Sequence, residues 1–296
     1  MNSVQALKHI LHPLLEIYEP GEAISIAAIV LEDGFGIKPK QIPENRILDE
    51  AQLSQLDAIL TRLLSHEPVQ YVLGTTLFYG LRLNVNPNVL IPRQETEELV
   101  AWVIETVKHK RRGKQALPPA PSDAQRLLDV GTGSGCIAIA LKKKLPELEV
   151  HALDVSAGAL ETAMGNAALN GTEVHFHQVD ILDETQWDSM PMFDFIASNP
   201  PYITEDEKHI LPQNVVDFEP HLALFSGGNE AQRFVKKIAQ FATGHLRPGG
   251  YLFFETNEFY SPDSLQILEE MGFVEAEIRN DLNGKQRMLR ARRAGG

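Results

Sequence analysis

The sequence is poor in features that would indicate a secreted or membrane-anchored protein. Its 296 residues contain a single cysteine, Cys136, so an internal disulfide is excluded and a reducing compartment is favoured. The longest early apolar run, residues 23–31, is too short to span a bilayer. It also follows several charged residues, which is a poor position for a signal peptide. We therefore expect a cytoplasmic protein with no membrane partner.

Positive charge is scarce as well. There are 27 Lys and Arg residues against 40 Asp and Glu, a net charge of −13. Because phosphate binding normally depends on a surplus of Lys and Arg, we expect no direct DNA partner. The main basic cluster, residues 109–114, reads most simply as the solvated end of a helix. With 43% hydrophobic residues, the chain can bury the cores of one large and one small domain.

The hydrophobic periodicity changes along the chain and suggests three segments. Up to about residue 72, apolar residues recur every three or four positions, which predicts a bundle of four or five helices. Two short β-like runs around Gly80, in "TTLFYGLRLNVN", predict a hairpin. We therefore expect a helical domain at 1–72, a hairpin linker at 73–88 and a larger domain at 89–296, which includes a Pro-rich loop at 113–125.

From Arg126 onward, strand-like and helical periods alternate. This pattern predicts an α/β domain with a doubly wound parallel sheet. The runs "FVEAEI" and "QRMLRAR" near the end are close enough in sequence to pair antiparallel.

A glycine-rich loop lies between the first strand and helix of this domain. In "LLDVGTGSGCIAIAL", Gly131, Gly133 and Gly135 would let a ligand approach the backbone and the helix N-terminus. The dinucleotide fingerprint requires a glycine where this sequence has Cys136. A nicotinamide-dependent oxidoreductase is therefore disfavoured, and we interpret Cys136 as a small core residue.

Acidic residues follow the next two strands. The carboxylate of Asp154 can accept the two ribose hydroxyls of a nucleoside. Asp180 could receive an exocyclic amine, with Ile181 as an apolar wall for the base. With the glycine loop, these residues predict a nucleoside cofactor site at the switch point of the sheet. His175 and His177 share a strand face, but no third ligand is near in sequence, so we expect no metal.

The fourth strand ends in an unusual tetrapeptide, in "FDFIASNPPYITE". If the cofactor is S-adenosylmethionine, the Asn199 side-chain oxygen and the Pro200 carbonyl can accept both N–H bonds of a planar NH₂ group. Such acceptors would aim the nitrogen lone pair at the methyl group. Pro200 and Pro201 fix the backbone, and the Tyr202 ring can pack on a planar substrate.

With these motifs the sequence resembles the HemK/PrmC family, S-adenosylmethionine-dependent enzymes that methylate N5 of the glutamine in the Gly-Gly-Gln loop of class I peptide chain release factors. The resemblance covers nearly the whole chain and rests on "EPVQYVLGTTLFYGLRLNVNPNVLIPRQETEELV", "LDVGTGSGCIAIAL", "SNPPYI", "DFEPHLAL" and "GKQRMLRARR". It implies a Rossmann-like, seven-stranded methyltransferase sheet whose last strand is antiparallel. It also implies that residues 1–72 form a substrate-docking domain.

The resemblance also implies roles for individual residues. The implied cofactor contacts are Gly131, Thr132, Gly133, Ser134, Gly135, Asp154 at the ribose, Asp180 and Ile181 at the adenine, and Asn199. The implied glutamine-binding residues are Asn199, Pro200, Pro201 and Tyr202, of which Asn199, Pro200 and Tyr202 would be catalytic. Pro92, Arg93, Glu95 and Thr96 match a signature beside the pocket and would order its wall. Phe218, Glu219 and Pro220 match another signature, for which the sequence alone suggests no role.

One alternative uses the same tetrapeptide. DNA adenine-N6 methyltransferases present a similar Asn-Pro-Pro-Tyr to an equally planar NH₂ group. Such an enzyme should carry a separate recognition region with a basic face, which this acidic chain lacks in sequence. We therefore expect a monomeric methyltransferase that acts on release factors, with a nucleic-acid amino-methyltransferase as the alternative.

Overall fold

The structure is a computed structural model that describes residues 1–112, 124–228 and 230–295. The chain divides into two compact units, Met1–Thr75 with Pro212–Phe218, and Thr76–Leu211 with Glu219–Gly296. Most of the Pro-rich loop and the end of the basic cluster lie outside the described residues. Nowhere in those described ranges do we find a helix with the length and apolar character needed to span a bilayer.

The chain begins with four α-helices and a β-hairpin, and it continues with helices and strands of the larger unit. The helices are α1 (Ser3–Leu14), α2 (Pro20–Ile29), α3 (Glu50–Leu63), α4 (Val69–Leu73), α5 (Gln94–Arg112), α6 (Cys136–Lys144), α7 (Ala157–Asn170), α8 (Gln213–Phe218), α9 (His221–Leu224), α10 (Arg233–His245) and α11 (Ser261–Glu270). The strands are β1 (Thr75–Phe78), β2 (Leu81–Asn84), β3 (Arg126–Val130), β4 (Glu149–Asp154), β5 (His175–Gln178), β6 (Phe193–Ser198), β7 (Leu246–Glu255), β8 (Phe273–Asn280) and β9 (Gln286–Arg293).

The first unit is helical because its sequence combines caps with a one-sided apolar pattern. Asn2 caps α1: its side chain accepts a hydrogen bond from the backbone of Gln5, whose side chain in turn accepts one from Asn2. On the same helix, Ala6, Ile10 and Leu14 recur every four residues and are buried in the core of this unit. The spacing therefore places one face of α1 against the other helices.

The connecting hairpin forms as the sequence predicts. β1 and β2 are joined by Tyr79 and Gly80, both with positive φ (51° and 77°). A two-residue turn with both φ values positive matches the right-handed twist of paired strands. Gly80 adopts this conformation without steric cost, so the Tyr-Gly pair sets the hairpin register.

The second unit is built on a seven-stranded sheet in the order β5-β4-β3-β6-β7-β9-β8. The pairs from β5 to β7 are parallel, and β9 runs antiparallel to both β7 and β8. Alternate residues face opposite sides: Leu127 packs in one apolar cluster with Trp102 of α5, and Leu128 in the other with Ile238 of α10. The predicted doubly wound sheet and its antiparallel last strand are confirmed.

Strand β7 begins earlier than its sequence suggests. Pro and Gly are uncommon inside strands, yet Leu246, which precedes Pro248-Gly249-Gly250, already pairs with Phe193. The register then shifts, and a Cβ on Gly250 would lie only 2.9 Å from the carbonyl oxygen of Asp194. The Pro-Gly-Gly segment therefore acts as an irregularity within the strand, where a side chain would not fit.

The sheet order creates one crevice at its carboxyl edge. β3 lies between β4 and β6, so the chain winds outward in opposite directions on its two sides. Ligands of open α/β sheets bind at such switch points, where the connections diverge. The glycine loop after β3, Asp154 at the end of β4 and Asn199 after β6 all lie at this edge.

Candidate active site

A cavity of about 320 Å³ occupies the crevice. This volume is within the usual range for small-molecule sites. The sequence-derived site residues that line it are Gly131, Thr132, Gly133, Ser134, Asp154, Asp180, Ile181, Asn199, Pro200 and Pro201. Gly135 and Tyr202 are not among its described lining residues.

The three loop glycines have different roles. All have positive φ, between 53° and 82°. A Cβ on Gly131 or Gly133 would meet nothing within 4 Å, so these two leave open space beside the cavity. A Cβ on Gly135 would lie 2.8 Å from Ile139 Cδ1 and 3.1 Å from Ala163 Cβ, between α6 and α7. Gly135 therefore permits close helix packing.

We expect Gly135→Ala to destabilise the protein by roughly 2 to 4 kcal/mol, since it combines overpacking with an unfavourable left-handed backbone. Urea unfolding would measure the loss. Gly165→Ala in α7 is the matched control, because its Cβ would meet nothing within 4 Å. That control should be neutral or stabilising by about 0.5–1 kcal/mol, as alanine favours helix. Equal unfolding midpoints for Gly135→Ala and wild type would contradict the packing role.

A buried carboxylate under the loop holds its shape. Asp129, at the end of β3, accepts hydrogen bonds on Oδ2 from Thr132 Oγ1 (2.7 Å) and the Ala138 amide (3.2 Å). Burial raises the pKa of Asp129 to about 7. These bonds connect the strand, the loop and α6, so Thr132 takes part in the internal support of the loop.

Asp154 contacts the same loop from β4. Its Oδ2 accepts a hydrogen bond from the Gly133 amide and its Oδ1 from the Ser156 amide, each at 2.9 Å. Burial raises the pKa of this carboxyl group above its usual value. A carboxylate has about four acceptor positions, so these bonds leave acceptor capacity for a ligand. Asp154 thus both orders the glycine loop and retains the capacity to bind a diol.

The base end of the cavity is formed after β5. Asp180 is half-buried, and its Oδ1 accepts a hydrogen bond from the Leu182 amide at 2.9 Å. Ile181 beside it is buried and contributes an apolar wall. This pairing of a carboxylate with an apolar surface suits a flat heterocycle that carries an amine.

Asn199 has a fixed amide. Its Nδ2 donates to Thr96 Oγ1 (3.1 Å), and Thr96 Oγ1 donates to Glu255 Oε2 (2.6 Å). Thr96 and Glu255 are buried, while Asn199 lines the cavity. With Nδ2 bound in this way, Oδ1 is the side-chain atom left to accept a hydrogen bond from a substrate. Sequence reasoning assigned no role to Glu255, although an acid at the end of the apolar run "YLFFE" was a visible signal.

The rest of the tetrapeptide is packed firmly. Pro200 is buried and Pro201 half-buried, and both contribute to the cavity wall. Tyr202 is also half-buried. Burial is the main cause that raises the pKa of its hydroxyl, and the charge of the nearby Glu255 raises it further. Its hydroxyl therefore remains neutral, as a packing residue requires.

An ion pair joins the signature that contains Arg93 to the signature that contains Glu219, for which the sequence suggested no role. Glu219 is buried, and its Oε1 accepts a hydrogen bond from Arg93 Nη2 at 2.6 Å. Its Oε2 accepts one from the Ile91 amide at 3.3 Å. Pro92 and Pro220 beside this pair line the cavity. Glu219 thus holds the Ile91–Arg93 segment in place as part of the wall.

A cysteine can serve as a nucleophile, and histidines can bind a metal ion. Burial raises the pKa of the Cys136 thiol to about 12, which does not suit a nucleophile.

His175 lies near two residues of β4: ligand atoms of Glu149, His151 and His175 are within 4.8 Å of one another. No third ligand lies near His175 in the sequence, but in the folded chain two further ligand residues lie beside it. Glu149 is already paired with Arg126, and the ring of His151 with His177.

The residues present fit S-adenosylmethionine. Gly131 and Gly133 leave open space, and the buried Ser134 Oγ has no hydrogen-bond partner among the described residues. Asp154 offers acceptors for ribose, and the Asp180–Ile181 pair suits an adenine. This set of residues matches a nucleoside that carries a polar tail.

Comparison with known proteins supports the same chemistry. A family model described as the methyltransferase small domain matches residues 114–228, and the PrmC N-terminal domain matches residues 5–74. The hMettl16 catalytic domain, solved in complex with MAT2A 3'UTR hairpin 6, has a TM-score of 0.54 at 16% identity, covering 83% of this chain and 82% of that one. At this identity the likeness shows the fold alone. The protein thus has a methyltransferase fold.

Two relatives are much more similar over their full length. The release factor glutamine methyltransferase of Flavobacterium psychrophilum is 40% identical over 280 residues, which is 94% of each chain. The protein of the same name from Bacteroides thetaiotaomicron is 38% identical over 297 residues, covering 99% of this chain and all of that one. On this similarity, the chain belongs to the release factor glutamine methyltransferase family.

Proposed function

We propose that this enzyme transfers a methyl group from S-adenosylmethionine to N5 of the glutamine in the Gly-Gly-Gln loop of class I release factors. The observation that carries the proposal is the Asn199 amide, whose nitrogen is bound to Thr96 and whose oxygen is left for a substrate. The names of the two relatives described above support release factors as the substrate. A cytoplasmic location and a monomeric state are part of the same proposal.

The acceptors address the main difficulty of the reaction. An amide nitrogen is a poor nucleophile because its lone pair is delocalised into the carbonyl group. Asn199 Oδ1 and the Pro200 carbonyl would accept the two N–H bonds, which favours a pyramidal nitrogen and orients its lone pair. S-adenosylmethionine, when bound, supplies the electrophilic methyl group. The amide proton becomes acidic as the new bond forms and can leave to water, so no strong base is needed.

The cofactor would be held by groups on the glycine-loop side. Gly131 and Gly133 allow its close approach, Asp154 would bind the ribose, and Asp180 with Ile181 would bind the adenine. These residues are proposed as binding residues, and Asn199 with Pro200 as the catalytic pair.

A direct test is methylation of intact release factor by the full-length enzyme, with mass spectrometry of the Gly-Gly-Gln peptide. We expect one added methyl on the glutamine side chain. Unmodified DNA and RNA, incubated with the enzyme and methyl-labelled S-adenosylmethionine, serve as the competing substrates. Labelled adenine with unmodified release factor would support the nucleic-acid alternative and overturn the proposal.

We further propose that the helical unit docks the release factor, because all the cavity residues belong to the other unit. A fragment that begins at Thr75, with Pro212–Phe218 replaced by a glycine-serine linker, should bind S-adenosylmethionine within about tenfold of the full chain. Its kcat/KM on intact release factor should fall steeply, because distant binding contacts are lost. A short Gly-Gly-Gln peptide should be methylated slowly and equally by both proteins. Full activity of a well-folded fragment on intact release factor would contradict docking.

A further inference from the structure

Three side chains form a hydrogen-bonded chain from the interior to the active site. Asn199 Nδ2 lies 3.1 Å from Thr96 Oγ1, which lies 2.6 Å from Glu255 Oε2. Thr96 and Glu255 are 2% and 1% exposed, so water does not compete for these bonds. The three residues come from α5, the loop after β6 and the end of β7. The chain therefore connects a buried acid to the amide that faces the substrate.

The single proton of the Thr96 hydroxyl gives this chain a direction. When Glu255 is ionised, it can only accept, so Thr96 donates to it and must accept from Asn199. This arrangement binds the Asn199 NH₂ and leaves Oδ1 for the substrate. If the oxygen of Glu255 that faces Thr96 carries a proton, it can donate instead. Thr96 is then free to donate to Asn199 Oδ1, which would turn the NH₂ toward the cavity.

We propose that Thr96 and Glu255 are positioning residues, and that the ionisation of Glu255 determines which end of the Asn199 amide faces the substrate. The inference deepens the proposed function and rests on it. An NH₂ group facing the substrate amide would repel its N–H bonds, so the reversed chain is inactive. The buried glutamate thus acts as a pH-dependent control on the acceptor.

The surroundings place this ionisation near neutral pH. Burial is the main cause that raises the pKa of Glu255 to about 7. Glu95 raises it further, whereas the Thr96 hydrogen bond, Arg287 and Arg93 lower it. Tyr202 is close enough for the charge of Glu255 to raise the tyrosine pKa. The active form is the ionised one, so activity should be present above pH 7 and be lost as pH falls through 7.

The test compares single-turnover rates of the wild type and variants on intact release factor between pH 6 and pH 8. Between these values the ionised fraction of a group with a pKa near 7 changes about tenfold, and we expect a similar change in the wild-type rate. Glu255→Gln removes the titration, so its rate should change by less than about twofold over the same range. Infrared difference spectra between pH 6 and pH 8 should show one protonated carboxyl band more in the wild type than in Glu255→Gln, because burial also raises the pKa of Asp129 to about 7 and that carboxyl group titrates in both proteins.

Thr96→Val removes the hydroxyl at nearly constant shape, and Thr96→Ser restores it. We expect Thr96→Val to lower kcat by about 10- to 100-fold with S-adenosylmethionine affinity within about twofold, as for an interaction made in the transition state. Thr96→Ser should remain within about threefold of wild type. Calorimetry and thermal unfolding establish that each variant is folded.

The outcomes separate the two proposals. Wild type that leaves release factor unmodified at pH 8 would overturn the proposed function. Wild type that is active, with Glu255→Gln keeping the same acid decline or Thr96→Val keeping full kcat, would overturn only the positioning role. Should Thr96→Val not fold, the pH profile and infrared band of Glu255→Gln still decide.

Discussion

Asn199→Ala is expected to slow methyl transfer by roughly 100-fold or more, the usual scale for removing one preorganised polar group from a transition state. On the proposed mechanism, the side chain supplies an acceptor whose orientation is set by the hydrogen bond to Thr96 before the substrate arrives. Alanine removes that acceptor and leaves the backbone of the tetrapeptide, which the prolines hold. S-adenosylmethionine binding and the unfolding temperature should change little. Single-turnover rates with intact release factor provide the measurement.

Asn283→Ala is the matched control, because Asn283 is exposed in the turn between β8 and β9. Its rate should equal that of wild type. A decrease of less than about fivefold for Asn199→Ala would mean that the acceptor mechanism is wrong. A large decrease in cofactor affinity with normal turnover at saturation would instead assign Asn199 to cofactor binding alone.

Asp154→Ala is expected to weaken S-adenosylmethionine binding by roughly 2 to 4 kcal/mol, or about 30- to 1000-fold in Kd. Two causes act together. The variant loses the charged acceptors that we propose for ribose, and it leaves the Gly133 amide without the carboxylate that orders it. Isothermal titration calorimetry with S-adenosylmethionine measures the change.

Asp154→Asn separates the two causes, because an amide oxygen can still accept from Gly133 while the negative charge is removed. We expect its affinity to lie between those of wild type and Asp154→Ala. The exposed Asp188→Ala serves as the control and should bind normally. Unchanged binding by Asp154→Ala would overturn the ribose assignment.

Much of the cofactor side could be predicted from the sequence because it depends on local patterns. Period-two and period-3.6 runs identify strands and helices, and parallel strands bring their carboxyl ends to one edge. Gly131, Asp154 and Asn199 each follow a strand in sequence, so their position at one edge required no knowledge of packing. The same local pattern predicts that Gly135 contacts the cofactor, but it does not show that the missing side chain makes room for Ile139 and Ala163.

Contacts between distant segments were decided only by the tertiary structure. Thr96 is 103 residues from Asn199 and 159 from Glu255, and no periodicity relates positions so far apart. Their bonds depend on how α5 packs on the sheet and on the register of β6 with β7. The Arg93–Glu219 ion pair and the approach of His151 to His175 arise in the same way, from packing and strand pairing. The sequence alone determined the kind of site, because strand ends are local features; the tertiary structure decided how its side chains are oriented, because hydrogen bonds across elements require both partners in place.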